Sequence, residues 1–536
     1  MESCRERSVV VGDLRLRVLE DGDPALPTVV LVHGFPDTSA VWGGVVGELV
    51  GRFHVVRYDT RGAGGSGRPS RVSGYRVERL VEDLVAVVRA VVPGRKVHLV
   101  GHDWGSTQGW EAVASHPELF LSFTSISGPS LGHVADWVRR NRWHPVKVLN
   151  LLRHSWYIAG FKVPVVPELV WRIRAVRERL QAQHRELVNG LGLYRANVGS
   201  APAPRKVVVP VLQVVLKRDP YVKAAHLDAA EPWTERVSRR SLYASHWAPR
   251  THPVAVARMI ADFVDGVPSR RELVVITGAG SGIGRASALA FAVDGAEVVA
   301  VDVDAASGAR TAREVRGHSY ELDVADGAAT HALAERIEAV HGVPDVVMAN
   351  AGVVVAGGFL DTSEEDWRRV VDVNLWGVVH TLRAFVPLLV RRGEGGHVVI
   401  TASMASYFPT AALPAYSTTK AAVLMLAECL AEELAPHGIG VTAVCPGVVH
   451  TDITRSATFA GVDEPTERAK REAVTRTYRL RGYGPERVAT AVVRAVRQNR
   501  LVVPVTPESQ LAWFGSRLSP KAVRIVGRLA GPTWRQ

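Results

Sequence analysis

The chain alternates short apolar runs of β type with longer stretches of helical period. Val9 to Leu19 reads as a strand pair around the Gly12-Asp13 turn, and Thr28 to Val32 is continuously apolar, as in a strand buried on both faces. Val55 to Asp59 is another strand; Val77 to Val91 has a helical period; Val97 to Val100 is again β-type. Strands alternating with helices argue for a parallel α/β sheet. Residues 129–205 break the alternation. They are rich in Trp, Arg and Pro and read as helices, including one amphipathic helix from Glu168 to Val188, which suggests an inserted helical lid. The sheet resumes at Val207 to Val215. After a short polar connection, Val264 to Arg271, the alternation starts afresh with a strand at Leu273–Ile276, a helix at Arg285–Val293 and a strand at Glu297–Val301. The pattern predicts two α/β domains, 1–268 and 269–536, joined by a linker too short to be a flexible tether.

Candidate chemistry sits at strand ends. The run Val97 to Val100 stops at Gly101-His102-Asp103-Trp104-Gly105-Ser106, and a helical run follows. Glycines on both sides of Asp103 let the backbone bend sharply and push its side chain outward, as at a nucleophile elbow. A carboxylate there suits attack on an sp3 carbon through an alkyl-ester intermediate. The plainer alternative is a strand-to-helix turn with Asp as cap. Two further groups follow strand-like runs in order, Asp219 and then His246, together with His33-Gly34-Phe35-Pro36 after the first buried strand. Taken singly, the histidine and the lid tyrosines Tyr157 and Tyr194 would pass as packed residues.

In this first half the chain resembles α/β-hydrolase-fold epoxide hydrolases, whose nucleophile, acid and histidine come in the order Asp103, Asp219, His246. The resemblance implies an oxyanion hole from the backbone of Phe35 and Trp104, and two lid tyrosines that bind the epoxide oxygen. Tyr157 precedes Phe161-Lys162-Val163-Pro164, and Tyr194 opens Tyr194-Arg195-Ala196-Asn197. Haloalkane dehalogenases share the Asp-Trp pair but typically carry Asn where this chain has Phe35. No cofactor is expected for this half.

The second half opens with the strand, Gly-rich turn, helix and strand that dinucleotide binding needs: Gly278, Ser281, Gly282, Ile283 and Gly284, then Asp302 eighteen residues after Gly284. A carboxylate at Asp302 repels a 2′-phosphate and favours NAD over NADP, although Arg285 works the other way. The glycine spacing resembles the short-chain dehydrogenase/reductase family. That resemblance covers about 272–500 and implies a Rossmann-type doubly wound parallel sheet, an NAD(P) cofactor and a tetrad of Asn374, Ser403, Tyr416 and Lys420. It also implies cofactor contacts from Asp323, Val324, Asn350, Ala351, Gly352, Pro446, Gly447 and Thr451. Tyr416 would exchange a proton with the substrate oxygen, its pKa depressed by Lys420, one helical turn away, and by the oxidised nicotinamide. Ser403 would orient that oxygen and Asn374 hold a relay water. Residues 453–485 stand where the family places its variable substrate loop. The fusion resembles bifunctional actinobacterial proteins, and implies a hydrolase making a diol that a dehydrogenase oxidises. The alternatives are a dehalogenase-type hydrolase in the same fusion, or a lipid-binding scaffold with one active domain.

Composition adds location and partners. No uninterrupted apolar run approaches a membrane span, the start carries no apolar signal core, and three cysteines cannot build a disulfide framework or a metal site. A cytoplasmic enzyme without a metal is expected. The net charge of +12 concentrates in two places. Residues 129–205 hold thirteen Lys and Arg against four Asp and Glu, and residues 509–536 hold five basic residues and no acid. The last segment interleaves Trp513, Phe514, Leu518, Val523, Ile525, Val526 and Leu529 with those bases. Lid and tail are therefore candidates for peripheral contact with a membrane surface, solvated helix faces being the plainer reading. No groove-reading motif suggests nucleic acid. Small lipophilic epoxides and alcohols or ketones are the expected substrates, and the dehydrogenase resemblance implies a homo-oligomer paired through the helix carrying Tyr416.

Overall fold

The computed structural model describes residues 4–152, 155–267, 271–451 and 457–519, which fall into two compact units, 1–270 and 271–536. The first unit is built on strands β1 (Arg5–Val11), β2 (Leu14–Asp21), β3 (Thr28–Val32), β4 (His54–Tyr58), β5 (Val97–His102), β6 (Phe120–Ile126), β7 (Val211–Leu216) and β8 (Val237–Leu242). They form one sheet in the order β1-β2-β4-β3-β5-β6-β7-β8, parallel from β4 onward. β2 runs antiparallel to both β1 and β4. β5 is central and apolar on both faces: Leu99 packs with Trp110 and Phe123 on one side, Val100 with Trp42 and Ile260 on the other. That double burial explains the unbroken apolar runs and fixes the strand end that carries Asp103.

The second unit adds β9 (Leu273–Thr277), β10 (Glu297–Asp302), β11 (His318–Glu321), β12 (Val346–Ala349), β13 (Val355–Ala356), β14 (Gly396–Thr401), β15 (Ile439–Cys445), β16 (Thr458–Phe459) and β17 (Val502–Pro504). Seven of these make a parallel sheet, β11-β10-β9-β12-β14-β15-β17, in which the strand order reverses beside β9. Ligands bind outside the carboxyl ends of strands at such a switch point.

Several predicted elements need correction. The helix expected over Glu168 to Val188 is three pieces, Val166–Val170, Arg174–Leu180 and His184–Asn197. Gln181 takes the left-handed conformation that ends the middle piece, and the first break turns Trp171 inward against Phe35 and Phe161. The strand expected from Val207 begins only at Val211, because Pro210 has no N–H to donate; Val207 makes a single bridge to Thr234. The variable segment is not all loop: beyond residues 452–456, which lie outside the described residues, it forms β16, paired with β13, and a helix at Glu464–Arg481. Of the basic tail, Pro507–Leu518 is a helix capped by Thr506. Its Trp513 packs on Tyr407 and under Arg517, while Leu511, Phe514 and Leu518 are exposed. Val523, Ile525, Val526 and Leu529 lie outside the described residues.

One helical stretch, Glu364–Arg392, is long and apolar enough to cross a membrane, but half of its apolar window is buried. Val378, Leu382, Phe385 and Leu389 belong to the core of the second unit, which accounts for the apolarity.

Candidate active sites

At the end of β5, Asp103 has φ +52° and ψ −121°, a strained conformation for a residue with a side chain. Glycine is required on either side of it. A Cβ on Gly101 would meet the Gly105 carbonyl at 2.5 Å, and one on Gly105 would meet the Val32 carbonyl at 2.1 Å. The turn therefore sits against β3 with its carboxylate projecting. Phe35 N–H donates to Asp103 Oδ1 at 2.8 Å. Trp104 is the first residue of the helix Trp104–Ser115, where backbone N–H groups have no partner within the helix. Both expected donors thus stand beside Asp103, and Oδ2 is left facing His246 Nε2 at 3.6 Å.

His246 is buried and its Nδ1 meets Asp219 Oδ2 at 2.8 Å. Asp219 also accepts from Ser127 Oγ at 2.6 Å and from the backbone N–H of Tyr221 and Val222 at 2.7 and 3.0 Å. Burial opposes its charge. The His246 cation and these donors outweigh burial and hold the carboxyl down at about 2. For His246, burial again opposes the charge, but Asp219 and Asp103 outweigh it and raise the imidazole to about 10. The resting site is a carboxylate–imidazolium–carboxylate array. The neighbouring His102 goes the other way: burial and the His246 charge lower it to about 4. Its Nε2–H donates to the His246 carbonyl at 2.8 Å, which fixes the loop carrying the base.

The lid closes over this array with an aromatic cluster. Tyr194 packs on Trp104, Phe35 and Phe161, and Tyr157 packs on Tyr194, Phe161 and Tyr221. Burial raises both phenols, and the Asp103 carboxylate adds to it, so both are neutral O–H donors. The ring centres of Tyr157 and Tyr194 are 6.2 Å apart, and those of Tyr194 and Trp104 5.1 Å. Three contributors carried no sequence signal. Ser127 has φ +48°, Tyr221 has its ring 5.2 Å from His246, and Asp37 binds Trp247 Nε1 at 3.1 Å and pairs with Arg250. Only the fold brings them in.

In the second unit a cavity of about 890 Å³ opens at the switch point. It is lined by Gly278, Ser281, Gly282, Ile283, Asp302, Asp323, Val324, Asn350, Ala351, Gly352, Ser403, Tyr416, Lys420, Pro446, Gly447 and Thr451. Two predicted residues lie behind that wall. A Cβ on Gly284 would meet the Gly278 carbonyl at 2.0 Å, so Gly284 lets the first helix turn close on β9. Asn374 is fully buried in a π-helical turn, Asp372–Trp376. Its Oδ1 accepts from Val353 N–H at 2.8 Å, and its Nδ2 donates to Val353 O and Thr419 Oγ1. The side chain thus fixes the backbone next to Gly352. Asn350 likewise ties Thr277, Gly278 and Thr401 together and offers the cavity its backbone.

The residues present fit a dinucleotide. Gly280 N–H donates to Asp302 Oδ2 at 2.7 Å, so the loop and the acid at the end of β10 form one cradle at a helix N-terminus. Arg285 is paired with Glu314. At the other end Ser403, Tyr416 and Lys420 line the same cavity, and Lys420 Nζ donates to the Thr401 carbonyl at 2.7 Å. Burial raises the Tyr416 phenol, with Ser403 countering part of the rise, and burial pushes the Lys420 ammonium down to about 8. The Lys420 ammonium lies 5.7 Å from the centre of the Tyr416 ring. Tyr478, on the helix Glu464–Arg481, also lines the cavity, and no spacing rule would have found it.

The two units thus define a hydrolase of the elbow type and a dehydrogenase of the Tyr-x-x-x-Lys type in one chain. Comparison with known proteins agrees. The alpha/beta hydrolase fold family matches residues 27–150 and the short chain dehydrogenase family residues 272–460. "Probable oxidoreductase EphD" of Mycobacterium tuberculosis is 41% identical over 96% of this chain and 97% of its own length. "Epoxide hydrolase 3" of Xenopus tropicalis is 27% identical over 47% of this chain and 75% of its own. A crystal structure of a short chain dehydrogenase/reductase from Burkholderia phymatum in complex with NAD is 30% identical, covering 48% of this chain and 95% of that one, with a TM-score of 0.43. The chain belongs to the EphD family of fusions between an α/β hydrolase and a short-chain dehydrogenase. It is an enzyme with a hydrolase and an oxidoreductase domain, the latter of a nicotinamide-dependent family.

Proposed function

We propose that the first unit hydrolyses a lipophilic epoxide to a vicinal diol. The observation that carries this reading is the pair of neutral tyrosines, Tyr157 and Tyr194, buried over a carboxylate nucleophile. Asp103 Oδ2 attacks an epoxide carbon, the C–O bond breaks, and the oxygen takes a proton from a tyrosine O–H. Oδ1 becomes the ester carbonyl oxygen, held by Phe35 N–H. Ester formation removes one of the two negative charges that raise His246, so the imidazolium passes its proton to the tyrosinate left by ring opening and the neutral imidazole can act as base. His246, held by Asp219, then takes a proton from water attacking the ester carbon, and the diol leaves with the original Oδ2. A proton taken up on opening is returned on hydrolysis. A haloalkane substrate would have no use for the tyrosine pair.

The second unit oxidises a secondary alcohol, or reduces the ketone, with NAD preferred to NADP. Asp302 in the cradle and the commitment of Arg285 to Glu314 support NAD. When bound, the dinucleotide accepts or gives the hydride. Ser403 and Tyr416 hold the substrate oxygen, Tyr416 moves its proton, and Lys420 is the one buried cation beside them among the described residues. The diol is the substrate we assign to this unit, giving a hydroxyketone.

We place the enzyme in the cytoplasm as a homo-oligomer, in peripheral contact with an anionic membrane face. Exposed Trp143, Val146, Leu149 and Ile173 stand among arginines on the lid, and Leu511, Phe514 and Leu518 form a second apolar stripe beside Arg517. Binding to neither neutral nor anionic liposomes would remove this contact.

The test of the hydrolase is a single turnover of an aryl epoxide in ¹⁸O water. Label entering the Asp103 carboxylate, with unlabelled diol released, is the expected result. Halide release from haloalkanes, with epoxides untouched, would overturn it. Failure of the dehydrogenase to oxidise any product across a broad diol panel would sink the sequential reading.

A further inference from the structure

At the other end of the second sheet, away from the dinucleotide cavity, three metal-ligating side chains meet. Glu297 begins β10, His318 begins β11, and His341 ends the helix Gly327–His341. Their ligand atoms all lie within 4.8 Å of one another. His318 Nε2 is 3.1 Å and His341 Nδ1 is 3.7 Å from the same Glu297 oxygen, Oε1, and the two imidazole centres are 4.2 Å apart. Two ligands on one tetrahedral zinc ion are about 3.4 Å apart, given bond lengths near 2.1 Å. The three atoms therefore need only small side-chain rotations to surround one ion.

We propose that Glu297, His318 and His341 bind a single divalent transition-metal ion of the zinc type. Three further observations point the same way. Tyr320 Oη lies 2.9 Å from His341 Nε2, so it holds that ring and leaves Nδ1 facing Glu297. A polar partner on the second ring nitrogen is the usual support of a metal-bound histidine. His341 also ends its helix, where the aligned carbonyls favour a cation. Finally, two imidazoles with one carboxylate select a borderline metal over magnesium or calcium, which prefer all-oxygen sites.

His318 is exposed and Glu297 is half-buried, so the ion would reach the site from solvent and keep water in its remaining positions. Nothing of the catalytic tetrad is involved. Asp302, the ribose-side acid, stands at the opposite end of β10 from Glu297, so the ion would act as a clip joining β10, β11 and the helix end.

The test uses the full chain stripped with a chelator and titrated with Zn2+ against a chromogenic competitor, with Co2+ absorption as a second readout. Wild type is expected to hold one more tight zinc than His318→Ala, and to show visible Co2+ bands that this variant lacks. Glu297→Gln should weaken the same site, and Tyr320→Phe should weaken it by about 10- to 100-fold. His318 is on the surface, so His318→Ala should keep the wild-type circular dichroism and NADH binding. Equal zinc stoichiometry and affinity in wild type and His318→Ala would overturn the proposal, as would failure of wild type to compete for zinc at all.

Discussion

The two active sites solve the same problem, a proton in a buried place, in opposite ways. In the hydrolase unit two buried groups beside the nucleophile set one another: Asp219 is held at about 2 and His246 raised to about 10. Its nucleophile sits on a strained backbone. In the dehydrogenase unit burial dominates. Tyr416 is raised and Lys420 is pushed down to about 8, in both cases chiefly by desolvation. The first site stores its electrostatics in the protein. The second is a shaped cradle in which Asn350 and Asn374 hold backbone while Asp302, Ser403, Tyr416 and Lys420 line the wall. A charged array can be read from residue order; which side chains of a cradle line its cavity and which hold backbone behind it cannot.

The largest effect should come from removing the stored charge. Asp103→Ala should lower epoxide turnover on the order of 10⁴-fold or more, judged from nucleophile deletions in other enzymes, and leave alcohol oxidation intact. Loss of both activities would break the contrast. Tyr416→Phe should be milder, about 10²- to 10⁴-fold on hydride transfer with the hydrolase unchanged, the range for one general acid–base group. An equal loss in KM alone would show that Tyr416 only binds. Asp302→Ala should raise the KM for NAD about tenfold while that for NADP falls, since a repelling carboxylate is removed; steady-state kinetics with both cofactors decides it.

The smallest effect sharpens the comparison through stability. His246 is raised from 6.5 to about 10, so its ion pair stabilises fully below pH 6.5 and the contribution is lost as pH rises through 10. Asp219 is lowered from 3.8 to about 2, so its contribution is present above 3.8 and lost as pH falls through 2. The hydrolase unit should melt highest between about pH 4 and 6.5 and lose roughly 5 °C by pH 9.5. Asp219→Asn should flatten that alkaline slope. A wild-type melt independent of pH across this range would contradict the charged array.

Much of the framework was legible from the chain. Continuous apolar runs marked β3 and β9 because parallel strands are buried on both faces, and Gly101 and Gly105 marked the elbow after β5 because no Cβ fits there. The lid was harder. Its helical period could be seen, but the break that turns Trp171 into the aromatic cluster depends on what lies beneath it. Asn374 and Asn350 were found for their positions, but the backbone that their side chains hold could not be read from spacing.

By itself, then, the sequence determined the two α/β units, the order of nucleophile, acid and base, the glycine cradle and the Tyr-x-x-x-Lys pair, because each is local or ordered along the chain. Tertiary structure alone decided that Ser127 and Tyr221 join Asp219 and that Tyr478 closes the second cavity. It also decided that Glu297, His318 and His341 converge. Those groups are far apart in sequence, and it is strand pairing and helix packing that set the distances between them.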